Sequence, residues 1–77
     1  MRPYARFGEA LIIEMKQAGI PSQGELSRCA SLERVEVNNY ATGRRLPTLI
    51  RFAALTRAGL DPIPLLAALD EIEKEKK

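Results

Sequence analysis

Glycine and proline punctuate this chain at short, regular intervals, and that punctuation limits what it can fold into. Gly19 with Pro21, Gly43 with Pro47, and Gly59 with Pro62 cut it into short segments. Glycine tolerates the left-handed conformation that ends a helix, and proline cannot continue one. Within each segment apolar residues recur every three or four positions, the period of a helix with one buried stripe. Alternation never persists and β-branched residues are sparse, so no strand is expected. The sequence predicts an all-α domain of five helices.

Tyr4, Phe7, Leu11, Met15 and Ala18 form the apolar stripe of the first helix, which Gly19 and Pro21 end. Ser22-Gln23-Gly24-Glu25 reads as a capping box that starts a second helix over about 22–30, with Leu26 and Ala30 inward. A tight connection at Ser31-Leu32 leads to a third helix, about 33–41, packed through Val37, Tyr40 and Ala41. Pro47 suits the first turn of a fourth helix, with Leu49, Phe52, Ala53 and Leu55 inward and Gly59 beyond its end. Asp61-Pro62 caps a fifth helix, with Ile63, Leu66, Leu69 and Ile72 at helical spacing, and 73–77 reads as a charged, solvated tail. Seventy-seven residues allow one domain, 1–77, and a modest core.

Composition narrows the function. The chain has no histidine and one cysteine, which removes histidine-based triads, the usual zinc sites and any disulfide within one chain. No cofactor, metal site or catalytic group is expected, and the chain reads as a non-enzyme. Cys29, among apolar neighbours, reads as a buried structural thiol. No apolar run approaches the ~18–20 residues that span a bilayer, and no signal-type apolar region opens the chain. A soluble, cytoplasmic protein without a membrane partner is expected. Net charge is only +2, but residues 28–57 carry six arginines against Glu33 and Glu36, whereas 58–77 carry more acids than lysines. Arginine's planar fork suits phosphate and carboxylate recognition.

Two helices of about nine residues joined by a very short turn have the helix-turn-helix layout, here about 22–42. Gln23-Gly24-Glu25-Leu26-Ser27, then Ser31-Leu32, Val37, Tyr40, Gly43-Arg44-Arg45 and Pro47 resemble the phage repressor/Cro-like (xenobiotic-response-element type) helix-turn-helix family. The resemblance covers roughly 7–69. It implies a compact five-helix domain in which a small residue, here Ser27, allows the third helix to cross the second closely. It also implies glycine at the turn, where Ser31 stands. Gln23 matches a residue that commonly holds a DNA phosphate, although an exposed first-turn glutamine would look the same. Arg34, Val35, Asn38 and Asn39 match positions that face base edges in the major groove. Arginine can bridge guanine O6 and N7, asparagine adenine N6 and N7, and valine can meet a thymine methyl. Arg44 and Arg45 fall where phosphates would pass, or are a solvated pair after a glycine turn.

The sequence also departs from the family. Glu33 and Glu36 put two carboxylates on the turn that would face the groove, where each opposes phosphate. An arginine–glutamate pair common in the family is replaced, at the matching positions, by Met15 and Ala41. Pro21 lengthens the first connection. Ile63, Leu65, Leu66, Leu69 and Ile72 cover a wider arc than one small bundle needs, so the fifth helix reads as a partner or dimer interface. Two functions follow. One is a small DNA-binding transcription regulator from a mobile element or phage, whose partner is a double-stranded operator. The other is an antiactivator of the same fold that sequesters a transcription activator protein.

Overall fold

The computed structural model describes residues 2–75. They form five helices and no strand: α1 Ala5–Gln17, α2 Gln23–Ala30, α3 Arg34–Ala41, α4 Leu49–Arg57 and α5 Pro62–Glu75. α1 packs against α3 and α5, and α2 against α3 and α4. Every helix sends at least one fully buried side chain to the centre: Phe7 and Leu11, Leu26, Val37, Leu55, and Leu65.

Local hydrogen bonds explain the boundaries. Ser22 Oγ accepts the Glu25 N–H at 3.1 Å, Thr48 Oγ1 accepts the Arg51 N–H at 3.3 Å, and Asp61 Oδ1 accepts the Ile63 N–H at 3.0 Å. Each satisfies a donor that the first helical turn leaves unpaired. α1 through α4 end in the same paired geometry. Ile20 N–H donates to Met15 O, Leu32 to Ser27 O, Arg44 to Asn39 O and Leu60 to Leu55 O, and within each the preceding residue donates to the carbonyl three residues before it. This double bond requires a left-handed residue. Gly19, Gly43 and Gly59 supply it in three cases, and in the fourth it falls to Ser31 at φ 57°.

A close approach ties α1 to α3. A Cβ placed on Gly8 would lie 2.3 Å from the Ala41 carbonyl oxygen, so only glycine lets these two backbones touch. The Tyr4 N–H donates to the Gly43 carbonyl at 3.0 Å, fixing the start of α1 against the end of α3. Met15 and Ala41 are both buried in the shared core.

Several side chains lie elsewhere than the spacing predicts. Leu49 is 85% exposed and Ala53 is also exposed, while Ala54 is buried. At about 100° per residue, Leu49 lies about 120° and Ala53 about 160° round the helix from Leu55, away from the core. In α5 the buried stripe is Leu65 and Ile72, one heptad apart, with half-buried Leu69 between them. Ile63 and Leu66 face outward instead. Leu65 and Ile72 therefore belong to the core and present no free interface. Ala18, at the end of α1, and Cys29, about 160° round α2 from buried Ser27, are both exposed. The expected tail is helical as far as Glu75, and Arg6 clasps it through Glu71 at 3.3 Å and Glu75 at 2.6 Å. Lys76 and Lys77 lie outside the described residues.

Candidate functional site

The candidate surface is built where the start of α2 meets the exposed side of α3. Leu26 and Val37 are fully buried, and the three-residue connection 31–33 holds the two helices at a fixed separation. Ser27, also buried, donates from Oγ to the Gly24 carbonyl at 2.7 Å, which keeps its hydroxyl satisfied inside the crossing. This packing brings Gln23 to Asn38: Asn38 Nδ2 donates to Gln23 Oε1 at 3.0 Å. The Arg34 guanidinium lies over Gly24, where an added Cβ would sit 3.8 Å from its Nε and Cζ. Arg34 and Asn38 are four residues apart and share a helix face. Gln23, Arg34 and Asn38 thus form one patch from two helices.

Val35 is exposed beside this patch. Asn39 is not part of it. Its side chain is half-buried and lines a polar cleft of about 440 Å³, together with Tyr40, Arg45 and Arg51 among others. The Asn39 carbonyl accepts the backbone N–H groups of Arg44 at 2.9 Å and Arg45 at 3.3 Å, which anchors the loop after α3. Arg44 and Arg45 are exposed, and neither has an ion-pair partner among the described residues.

The two glutamates of α3 have different environments. Glu33 is exposed at the N-cap. Glu36 is drawn down to the cleft, and its side chain is 25% exposed. Glu36 Oε1 accepts the Glu33 N–H at 3.3 Å, and Oε2 accepts the Tyr40 hydroxyl at 3.5 Å while pairing with Arg51 of α4. Burial and, secondarily, the Glu36 charge raise the Tyr40 phenol above its usual pKa. The carboxylate expected to oppose phosphate is therefore neutralised by an arginine from another helix. No local pattern announces this pair, because its members lie on opposite sides of the loop that joins α3 to α4.

The predicted fifth-helix interface divides. Ile63 and Leu66 are exposed, Leu69 is half-buried, and Leu65 and Ile72 are core. Sequence reasoning missed other exposed apolar residues, Leu49 and Ile50 at the start of α4 and Ile12 and Ile13 in α1. No helix among the described residues is long and apolar enough to cross a membrane. Comparison with protein-family models, curated proteins and solved structures finds no match for this chain.

Proposed function

We propose that this chain is a small DNA-binding transcription regulator of the repressor/Cro-like helix-turn-helix type, with α3 as the reading helix. The observation that carries the reading is the joint placement of Gln23, Arg34 and Asn38 on one exposed patch, with Glu36 withdrawn onto Arg51. The hydrogen bond to Gln23 orients the Asn38 amide before any ligand arrives, which lowers the ordering cost of binding. Arg34 supplies a fork suited to guanine, Asn38 an amide suited to adenine, and Val35 an apolar contact for a thymine methyl. Arg44 and Arg45 flank the patch as phosphate ligands. Asn39 lines the cleft beside the patch, and its backbone carbonyl anchors the loop that carries Arg44 and Arg45.

Selection of bound fragments from genomic DNA, followed by titration of the enriched duplex, tests the reading. Arg34→Ala or Asn38→Ala should then cost ~1–3 kcal/mol at the cognate site and relax base preference locally. Failure to enrich any sequence would reject a sequence-specific regulator.

The exposure of Leu49, Ile50, Ile63 and Leu66 favours a second reading, the antiactivator that captures a transcription activator. Its mark would be a stable complex that Ile63→Glu or Leu66→Glu disrupts while the fold persists.

A further inference from the structure

Two surfaces outside the α2–α3 patch are apolar and opposite in net charge at their edges. The first is the start of α4, where Leu49 and Ile50 are 85% and 80% exposed. Arg44 and Arg45 lie just before them, and the nearby Arg51 is already neutralised by Glu36. This tip is apolar at its point and net basic at its base, where Arg44 and Arg45 outnumber the exposed Glu33 of the adjoining cleft.

The second surface is a shallow groove between α1 and α5. Ala10 and half-exposed Ile13 of α1 face Pro64, Ala67 and Ala68 of α5 across it. Small side chains leave it open. Its rim carries Glu9 and Glu71, with Arg6 pinned between Glu71 and Glu75. The groove is apolar on its floor and acidic at its edge.

We infer that the groove between α1 and α5 receives the Leu49-Ile50 tip of a second copy of this chain, so that molecules associate head to tail. Charge decides against the symmetric alternatives. Tip against tip would bring four arginines together, and groove against groove would oppose the glutamates of both rims. Only tip in groove sets Arg44 and Arg45 near Glu9 and Glu71 while removing two large apolar side chains from water. Such a contact uses different surfaces on the two molecules, so it does not close at a dimer. Two side chains in a shallow groove fall well short of the ~1,200 Å² of a stable interface. Association is therefore weak and belongs to protein concentrations on the order of 0.1–1 mM. The inference stands apart from the DNA-binding reading and survives its failure.

Analytical ultracentrifugation of the full chain and two variants tests it. Leu49→Glu combined with Ile50→Glu removes the tip, and Ala67→Arg fills the groove with a charge that repels it. Both changes are on exposed helix surface, and a cooperative melt verifies the fold. The wild type should show an average mass that rises with concentration past the dimer and falls back in high salt. Each variant alone should stay monomeric. An equal mixture should give a 1:1 dimer and nothing larger, because one intact tip then meets one intact groove. If either variant fails to fold, Arg45→Glu and Glu9→Lys replace them, each weakening association alone. A wild type that remains monomeric at 1 mM, one whose mass stops at the dimer, or a variant mixture that stays monomeric would overturn the inference.

Discussion

Ser31 shows how a single residue can carry a cost that its neighbours avoid. It occupies the left-handed position that glycine fills at the ends of α1, α3 and α4. A side chain with Cβ is strained there, so Ser31→Gly should stabilise the domain by about 1 kcal/mol, despite glycine's larger unfolded-state entropy. In a domain of this size that raises Tm by about 4–8 °C, which calorimetry would resolve. Glu36 makes the complementary case, since its charge serves Arg51 rather than solvent. Glu36→Gln should leave the fold intact and tighten binding to non-specific duplex at low salt, because it releases an arginine to phosphate. Filter binding at several salt concentrations would measure this, and unchanged affinity would mean that Arg51 lies out of reach of DNA. Tyr40 adds a pH dependence. Its phenol is held protonated above the usual tyrosine range, so the fold favours the neutral form. That contribution is present below about pH 10 and is lost as the pH rises through the raised value. Alkaline difference spectroscopy should show Tyr40 ionising above the usual tyrosine range.

At the scale of elements, the helix ends were legible and the helix rotations were only partly so. Ends depend on residues close in sequence: Ser22 with Glu25, and the glycines after α1, α3 and α4. The start of α4 instead falls later than expected, capped by Thr48 through the Arg51 N–H, which leaves Pro47 just outside the helix. Rotation depends on what lies across the core. In α1 and α3 the three-to-four spacing picks out one main stripe, and Phe7, Leu11, Val37 and Tyr40 are buried as it predicts, while Ile12, Ile13 and Val35 lie off it and are exposed. In α5, leucines and isoleucines occur nearly all round, so two stripes compete and packing selects Leu65 with Ile72. Leu65→Asp should therefore unfold the domain, because it buries an unpaired charge, whereas Ile63→Asp should leave the circular dichroism melt close to wild type. The crossing of α1 and α3 was not legible, because a mid-helix glycine looks like a flaw until its neighbour is known. Gly8→Ala should cost roughly 1–3 kcal/mol, since the Ala41 backbone must move to admit a methyl group. A denaturant midpoint unchanged by that substitution would mean the contact yields freely.

For the molecule as a whole, charge separates what the fold brings close. Six arginines lie within 28–57, Arg28 and Arg51 paired with Glu25 and Glu36, whereas five of the ten acids lie beyond residue 58. On the proposed reading, this polarity would steer an anionic duplex toward α3. The resemblance to repressor/Cro-like proteins pointed to Gln23, Arg34, Val35, Asn38 and Asn39; the structure brings Gln23, Arg34 and Asn38 together and places Asn39 at the cleft instead. Neither resemblance nor spacing could reveal that Glu36 is masked, because Arg51 reaches it from another helix. The most direct measurement is fluorescence anisotropy of a labelled duplex titrated with the folded chain, beginning at low salt, where electrostatic association is strongest. The account predicts saturable binding that weakens as salt rises. Arg44→Ala and Arg45→Ala should each lower the slope of log affinity against log salt by about one. A flat response from the folded protein at the lowest salt would contradict it.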